Sequence, residues 1–410
     1  MRILVYGINF SPELVGVGKY TGDMVAYLAE QGHEVRVVTA PPYYPAWKVE
    51  HPFRSWAYSV RKQGNLTVYR CPLCVPRKPT GLTRIVHLLS FAVTSLFVVL
   101  MQIAWRPRVV WTVEPTLASA PASLVVAKLS NALSWLHIQD LEVDAALGLD
   151  VLSTSGTTRF ALNVERWIMR RFDRLSSISG RMMDKIRDKG ITDDRLRSFP
   201  NWVDVDAIKP LDSRSAYADE LGIPEGSVVC LYSGNMGKKQ GLEILAGVAR
   251  RLQRHAELHF VFCGTGPGFP NLQAACEGLD RVHFLPLQPL QRLSELLGLA
   301  DIHLLPQRAD AADLVMPSKL TGMMASSKAI IATAAAGTEL AQVVSSCGVV
   351  VEPEQEEPLA AAVERLLADP AERQRLGKKA RAYAEHNLAR DAVLACFEKD
   401  LKDAVDELQR

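Results

Sequence analysis

Four short stretches of this sequence contain residue types that suit a phosphate group. Glycines let backbone N–H groups approach an anion, helix N-termini favour negative charge, and lysines neutralise it. Each stretch lies between an apolar, strand-like run and a helical pattern. The candidate residues are Gly16, Val17 and Gly18; Gly234, Asn235, Lys238, Lys239 and Gln240; Gly264 and Gly266; and Pro317, Ser318 and Lys319. Together they predict a site for a diphosphate ligand.

A fifth stretch contains groups suited to sugar hydroxyls. The segment HIQDLEVDA, residues 137–145, places acidic and neutral hydrogen-bonding side chains after another strand-like run. Asp140 is the candidate for orienting a hydroxyl, although it could instead serve only as the N-cap of a helix. Asp204 and Asp206 imitate a D-x-D metal motif, but they lie in an irregular segment between two strand–helix series. We therefore expect no metal and no other cofactor.

Several classes of protein are disfavoured by spacing and composition. Gly16 and Gly18 do not continue into the G-x-G-x-x-G of dinucleotide dehydrogenases. Lys plus Arg number 47 and Asp plus Glu 45, so the net charge of +2 gives no general attraction to nucleic acid. The pair Cys71 and Cys74 has no second pair to complete a zinc site, and we expect free thiols. The N-terminal run MRILVYG is too short for a signal peptide, which predicts a cytoplasmic protein.

The order of elements behind these loops predicts two domains. A chain of 410 residues is longer than one core usually holds, and 48% apolar with 22% charged residues describes a globular protein. Near-continuous apolar strands alternate with helices, stop over Ser198 to Pro210 and then resume. This α/β pattern predicts two Rossmann-like, doubly wound parallel sheets that face a central ligand cleft. We expect domains over 1–203 and 204–385, then over 386–410 a helix that crosses back to the first domain.

Two segments of the first half raise the question of a membrane. Residues 85–105 are almost wholly apolar, yet polar side chains interrupt them and basic residues flank both ends. We expect a buried helix; a helix in the membrane interface is the alternative, and a spanning helix is the least favoured. The loop over 41–56 is aromatic. In it Tyr43, Tyr44 and Trp47 would suit a lipid headgroup layer, although such a loop could equally cover a sheet edge.

Taken together, these stretches resemble the retaining glycosyltransferases of family four, which have the GT-B fold. The resemblance covers essentially the whole length and rests on PELVGVGKY, PNWVD, LYSGNMGKKQGLE, FVFCGTGPG and ADIHLLP. The stretches APPYYPAW, LHIQDLEVDAALGL and PSKLTGMMA are similar to the colanic-acid fucosyltransferases of that family. This implies transfer of L-fucose from GDP-fucose, a nucleotide-diphosphate sugar donor, to an undecaprenyl-diphosphate-linked glycan in exopolysaccharide biosynthesis. It also implies a peripheral enzyme on the inner face of the cytoplasmic membrane.

The sequence departs from the family-four pattern at the donor site. Many members of the family have two glutamates eight residues apart before the last strand, and those places fall near Leu314 and Gly322 here. We predict that Pro317, Ser318 and Lys319 supply the missing polar groups. Proline suits the first turn of a helix, free N–H groups there bind anions, and lysine adds a cation.

The predicted chemistry is electrostatic. Negative charge grows on the β-phosphate as the donor's glycosidic bond breaks, and preorganised cations stabilise that charge. The predicted catalytic residues are Asp140, which would orient a sugar hydroxyl, and Lys239 and Lys319, which would neutralise the leaving group. Three alternatives stay open: a UDP-sugar-dependent transferase of the same fold, a nucleotide-sugar epimerase, and a catalytically inactive scaffold of a polysaccharide assembly complex.

Overall fold

The chain divides into two compact units. The computed structural model describes residues 1–13, 16–77, 80–115, 117–140, 156–237, 240–309 and 317–409. One unit comprises Met1–Pro200 together with Leu394–Arg410, and the other comprises Asn201–Val393. The expected boundary after residue 203 lies just beyond this division, and the expected final segment is shared between the units at Leu394.

The first unit is built on an eight-stranded sheet. Its strands are β1 (Arg2–Tyr6), β2 (Glu34–Thr39), β3 (Ser59–Gln63), β4 (Leu66–Arg70), β5 (Val109–Glu114), β6 (Leu133–Ile138), β7 (Arg174–Ser177) and β8 (Leu196–Ser198). Their order is β3-β4-β2-β1-β5-β6-β7-β8, and β3 runs antiparallel to β4 while the other pairs are parallel. Every side chain of β5 and β6 is buried, as expected for parallel strands covered on both faces.

The sequence does not predict the two edge strands of this sheet. All five residues of β3 are exposed, so its sequence SVRKQ lacks the apolar run that identifies the other strands. The strand β8 has three residues and overlaps the start of the segment that we interpret as irregular. Edge strands with polar side chains lack an apolar run in the sequence, because half or more of their surface faces water.

Helices cover the faces of the first sheet. The described ones are α1 (Gly16–Glu30), α2 (Gly81–Met101), α3 (Ala120–Ser130), α4 (Gly156–Met169) and α5 (Gly180–Asp188). In α1, Tyr20, Met24 and Leu28 are buried at helical spacing, as predicted. This helix begins at Gly16, so the predicted phosphate-binding glycines lie in its first turn.

The helix α2 is buried on one face only. By length and composition the segment Gly81–Trp105 could cross a membrane. Its buried face, with His87, Phe91, Ser95 and Val99, packs against the sheet, and the Ser95 hydroxyl lies 2.7 Å from the Tyr6 hydroxyl. The opposite face is exposed and apolar. The prediction of a buried core helix is therefore wrong for that face, because the more apolar face of this helix is the exposed one and the polar His87 and Ser95 lie on the buried one.

The second unit contains a six-stranded parallel sheet. Its strands are β9 (Val228–Asn235), β10 (Leu258–Thr265), β11 (Val282–Leu285), β12 (Ile302–Leu305), β13 (Ala329–Thr333) and β14 (Val349–Val351). Their order is β11-β10-β9-β12-β13-β14. The chain therefore winds one way from β9 to β11 and the other way from β12 to β14, and a doubly wound sheet binds ligands at this switch point, beyond the carboxyl ends of its strands.

Eight described helices surround the second sheet. They are α6 (Ala216–Glu220), α7 (Glu243–Arg251), α8 (Phe269–Ala275), α9 (Leu293–Leu299), α10 (Lys319–Ala325), α11 (Glu339–Cys347), α12 (Glu356–Ala368) and α13 (Pro370–Asn387). Met323 and Met324 of α10 are fully buried and pack with Ile330 and Val344. The methionine-rich stretch therefore belongs to the core, and only the start of α10 is available for chemistry.

The last helix, α14 (Arg390–Leu408), packs on the first unit through a buried face on which Phe397 makes the aromatic contacts. Phe397 is stacked on Phe199 with ring centroids 4.1 Å apart, and it meets Trp111 and Trp135 edge-on. One residue further, the Glu398 carboxylate lies 2.8 Å from His33 Nε2. These contacts attach the end of the chain to the first unit.

Replacing Phe397 by alanine is expected to destabilise the first unit by about 3–5 kcal/mol, because it opens a cavity among aromatic rings. Urea unfolding followed by tryptophan fluorescence measures this loss. Cys396, exposed on the same helix, provides the control Cys396→Ala, which should change stability little. Equal effects of the two substitutions would show that α14 does not stabilise the first unit through this contact.

Candidate active site

The predicted site residues fall into two groups, one in each unit. The second unit holds most of the predicted donor-binding residues, at the switch point between β9 and β12, and the first unit holds the predicted donor-binding Gly16, Val17 and Gly18. Gly234 and Asn235 end β9, and Lys319 begins α10. Lys238 and Lys239 lie outside the described residues, so their predicted contact with a diphosphate stays a prediction.

Lys319 places a cation at this switch point. Its Nζ donates a hydrogen bond to the Tyr232 hydroxyl over 3.0 Å and lies 4.2 Å from the centre of that ring. The Tyr232 hydroxyl in turn donates to the carbonyl oxygen of Asn235 over 2.5 Å. Burial lowers the pKa of Lys319 to about 7, since the ammonium group has little access to water. An anionic group brought to this lysine would restore its charge.

The glycines near Lys319 allow the polypeptide backbones to approach closely. Gly234 has φ of +132°, and a Cβ there would lie 3.5 Å from Cδ of Lys319. A Cβ on Gly264 would lie 1.9 Å from the Gly234 carbonyl oxygen, and one on Gly266 would lie 2.6 Å from the Met236 carbonyl oxygen. Gly264 is therefore required by the close approach of β10 to β9, and Gly266 by the approach of the residues that follow these strands, a structural reason that the sequence does not reveal.

Gln240 holds the loop that follows β9. Its Oε1 accepts a hydrogen bond from the backbone N–H of Gly237 over 2.9 Å. This contact joins Gln240 to Gly237, two residues beyond Asn235, which is exposed at the end of the strand. Gln240 thus shapes the predicted donor loop from within it.

The predicted Pro-Ser-Lys triplet does form the start of a helix. Ser318 occupies the N-cap position of α10 and is exposed, and Pro317 precedes it. The helix has only seven residues, so its dipole is a weak source of positive potential. The electrostatic contribution of the triplet comes mainly from Lys319.

The first unit contains a second group of polar residues, centred on a carboxylate that the sequence did not single out. Glu13 is buried, and its Oε1 accepts hydrogen bonds from the backbone N–H groups of Tyr43 and Tyr44 over 3.1 and 3.0 Å. Its Oε2 accepts from Asn9 Nδ2 over 2.9 Å. Burial raises the pKa of this carboxyl group, and the hydrogen bonds oppose that shift. Glu13 therefore ties the loop before α1 to the aromatic loop after β2.

Two glycines of α1 lie against this carboxylate and the Tyr44 ring. A Cβ on Gly18 would lie 2.3 Å from Glu13 Oε2, so a side chain there would displace the carboxylate. Gly16 has φ of +63° and lies against the Tyr44 ring, where a Cβ would be 3.7 Å from Cε1. Val17 lies between them and is half-buried. Gly18 therefore has a packing role, while Gly16 leaves room beside Tyr44.

Asp140 lies near Tyr44, at the end of β6. Burial raises the pKa of the Tyr44 phenol, and the negative charge of Asp140 raises it further. The structure therefore brings Gly16, Tyr44 and Asp140 together at the carboxyl ends of the first sheet. A carboxylate, a phenol and an open glycine provide hydrogen-bonding groups of the kind that position sugar hydroxyls.

The aromatic loop does not present all three predicted side chains to a membrane. Tyr43 is 6% exposed and packs on His87 and Trp47, with ring centroids 4.6 and 5.6 Å apart. The prediction that Tyr43 faces a headgroup layer is wrong, because its backbone is fixed by Glu13 and its ring fills the space beside α2. Trp47 is half-buried in the same cluster, and Tyr44 is exposed.

Glu13→Ala is expected to destabilise the first unit by about 2–4 kcal/mol, since two buried N–H groups lose their acceptor. Glu13→Gln keeps an oxygen for both and should recover at least half of that loss. The midpoint of urea unfolding measures both variants. Glu30→Ala, at the exposed end of α1, is the control and should be neutral. If Glu13→Ala matched this control, the carboxylate would not be what holds the aromatic loop.

Solved structures share this two-unit fold. The chain matches sucrose-phosphate synthase from Thermosynechococcus elongatus with a TM-score of 0.76 at 17% identity, over 98% of each chain. It matches Anabaena HepE, solved with UDP-glucose, with a TM-score of 0.68 at 14% identity, over 98% of this chain and 100% of that one. At such identities the likeness concerns the fold, which is the GT-B fold.

The sequence comparisons narrow this class to a family. Residues 15–202 match the glycosyl transferase 4-like domain, and residues 213–383 match the glycosyl transferases group 1. WcaI of Escherichia coli strain K12, provisionally assigned as a colanic acid biosynthesis glycosyl transferase, is 43% identical over 98% of this chain and 100% of its own length. The chain belongs to family four of the glycosyltransferases. The predictions of family, fold class and enzyme class are confirmed.

Proposed function

We propose that this glycosyltransferase moves L-fucose from GDP-fucose to an undecaprenyl-diphosphate-linked glycan, with retention of configuration, during synthesis of a colanic-acid-like exopolysaccharide. The likeness to WcaI over the full length of both chains supports the pathway. In this proposal the acceptor is lipid-linked, so the enzyme works at the inner face of the cytoplasmic membrane.

The observation that supports a phosphate-bearing donor most strongly is the position of Lys319. The lysine lies at the switch point of the second sheet, against Gly234 and on Tyr232. A buried amine with a pKa near 7 gains most from an anionic ligand, because the ligand restores a charge that burial disfavours. In this proposal the donor's diphosphate takes that place.

The same lysine supplies the chemistry of the transfer step. As the bond between the sugar and the β-phosphate oxygen breaks, the electron pair stays on that oxygen. The Lys319 ammonium, held in place by its hydrogen bond to Tyr232, stabilises the growing charge without reorganising. Lys238 and Lys239 are proposed as further cations for the diphosphate. A metal ion is not part of this proposal.

The first unit supplies the group that positions the reacting sugars. Asp140 accepts a hydrogen bond from a sugar hydroxyl, and Tyr44 and the open space at Gly16 bound the place where that sugar lies. Glu13 acts through the backbone of Tyr43 and Tyr44 and is a positioning residue. The step needs no covalent nucleophile, because the acceptor hydroxyl oxygen bonds to the sugar carbon as the bond to the diphosphate breaks, and the hydroxyl proton passes to the departing phosphate oxygen.

A thermal-shift titration of the whole chain with GDP, GDP-fucose, UDP and ADP tests the donor. A ligand at a hundred times its dissociation constant adds about 2.7 kcal/mol of stability. We expect stabilisation by GDP and GDP-fucose well above that by UDP or ADP. A preference for UDP, the nucleotide seen with HepE, would overturn the donor while keeping the enzyme class. No response to any nucleotide would favour the inactive scaffold.

A further inference from the structure

One face of α2 is a continuous apolar surface that the first unit leaves uncovered. From Ile85 to Met101 every exposed side chain is apolar. We call these side chains, with Leu82 and two from the adjacent helix α3, the α2 surface. Its members are Leu82, Ile85, Val86, Leu89, Val93, Leu96, Phe97 and Met101 of α2, and Val125 and Leu129 of α3. Single exposed apolar residues are ordinary in proteins, but a contiguous face of this kind indicates an interaction site.

All charged residues in the sequence around this surface are basic. Between His51 and Val113 the chain contains nine Lys and Arg residues and no Asp or Glu. They are Arg54, Arg61, Lys62, Arg70, Arg77, Lys78, Arg84, Arg106 and Arg108. The whole protein has nearly equal numbers of acidic and basic residues, so this stretch is a local departure from its charge balance.

The fold places several of these cations beside the α2 surface. Arg84 lies in the first turn of α2, and Arg106 follows the short 3-10 turn, Gln102–Trp105, that continues α2, so a basic residue lies near each end of this segment. The Tyr58 hydroxyl donates a hydrogen bond to the Thr94 carbonyl oxygen over 2.9 Å. This contact holds the start of β3 against the middle of α2, and β3 carries the exposed Arg61 and Lys62.

The other face of α2 argues against a transmembrane position. His87 Nδ1 lies 2.6 Å from the Cys74 carbonyl oxygen, and Ser95 is bonded to Tyr6 of the sheet. A helix that crossed the bilayer would have to leave these buried polar partners. One face of the helix is hydrogen-bonded to the rest of the first unit, and basic residues lie near both ends. The helix is therefore suited to lie in the plane of a membrane surface.

We propose that the α2 surface binds the interface of an anionic phospholipid membrane. Its apolar side chains enter the boundary of the acyl chains, and the surrounding Arg and Lys side chains contact lipid phosphates. A second copy of this chain is disfavoured as the occupant, since a symmetric pair of such surfaces would bring the same cations together. The proposal rests on the proposed function only in that a lipid-linked acceptor is met at a membrane.

Co-sedimentation with lipid vesicles tests this proposal on the full chain. We use vesicles of phosphatidylcholine alone, and vesicles in which about a third of the lipid is phosphatidylglycerol. Binding to the anionic vesicles should be at least about tenfold stronger and should weaken with added salt. The double substitution Val93→Gln with Phe97→Gln should reduce it about tenfold or more, and since each side chain is 72% exposed the fold should tolerate both changes.

The control variant changes an exposed apolar residue elsewhere in the first unit. Leu408→Gln, at the end of α14, should leave vesicle binding unchanged. The proposal is overturned if the protein does not sediment with anionic vesicles, or if the double substitution acts no more strongly than the control. A concentration-dependent dimer that the double substitution abolishes, seen by light scattering, would assign the surface to a second copy instead.

The same variants separate this proposal from the proposed function. Thermal stabilisation by GDP-fucose depends on the second unit and should be equal in the wild type and in the Val93→Gln, Phe97→Gln variant. Lost vesicle binding with intact nucleotide binding is the expected result. Intact vesicle binding without any nucleotide response would contradict the proposed donor and leave the membrane surface supported.

Discussion

Replacing Lys319 by methionine will weaken binding of the donor at least about a hundredfold and at the same time make the protein more stable. Burial lowers the pKa of this lysine from 10.5 to about 7, so folding is penalised wherever the buried amine must be charged. That penalty is fully present below pH 7, and it disappears as the pH rises towards 10.5. We expect Lys319→Met to gain about 1–3 kcal/mol at pH 6, with little gain near pH 10.

Donor binding will fall because methionine keeps the shape of the side chain and removes its charge. The loss should be at least about a hundredfold in dissociation constant, the effect of removing one buried partner of a charged pair. Thermal unfolding with and without GDP-fucose measures both effects on one sample. Lys209→Met, an exposed lysine of the same unit, is the control. Unchanged donor affinity in Lys319→Met would remove this lysine from the donor site.

In the wild-type enzyme, the pH dependence of donor affinity should reflect the titration of Lys319. The free amine loses its proton as the pH rises through about 7, whereas the amine beside a bound diphosphate keeps it. Donor affinity should therefore fall up to about tenfold for each pH unit above 7, and the slope should be absent from Lys319→Met. Isothermal titration at several pH values measures this slope. A flat profile in the wild type would mean that Lys319 does not meet the donor as a cation.

Replacing Asp140 by asparagine will nearly abolish sugar transfer and leave donor binding intact. The substitution keeps the size of the side chain but removes the negative charge near Tyr44. Loss of an oriented hydrogen bond to a reacting group costs about a hundredfold to a thousandfold in rate. Initial rates of transfer at saturating GDP-fucose measure the loss, and thermal shift shows that the donor still binds.

An exposed aspartate from the D-x-D motif is the matched control for Asp140. Asp206 follows Asp204, whose carboxylate accepts hydrogen bonds from the backbone N–H groups of Asp206 and Ala207 over 3.0 and 2.8 Å. Asp204 is therefore a turn residue, and Asp206→Asn should leave transfer unchanged. A loss in Asp206→Asn as large as that in Asp140→Asn would contradict both assignments and reopen the question of a metal.

The sequence predicts the buried strands of both units well, because buried parallel strands leave near-continuous apolar runs. It fails for β3, whose five residues all face water. It also fails to tell which face of α2 is buried, because the more apolar face of this helix is the exposed one, the reverse of the usual pattern. In such a helix only the polar residues His87 and Ser95, each bonded to a distant partner, mark the inner face.

The candidate site is predicted less well, because its main contacts join residues far apart in the chain. The partner of Lys319 is Tyr232, 87 residues earlier, and no local pattern connects them. Glu13 lies beside the predicted Gly16 and Gly18, yet its importance depends on the N–H groups of residues 30 and 31 positions later. The sequence feature that could have identified Glu13 is an acidic residue among apolar neighbours just before Gly16 and Gly18.

The most direct test of the central claim is transfer itself. Purified protein is incubated with GDP-fucose and a membrane extract that contains undecaprenyl-diphosphate-linked glycans, and fucose in the lipid-soluble product is quantified by mass spectrometry. We predict a fucosylated lipid product whose new linkage keeps the configuration of the donor, and its absence with Lys319→Met. Release of free fucose without a lipid-linked product, or an intact donor at the end of the reaction, would contradict the account.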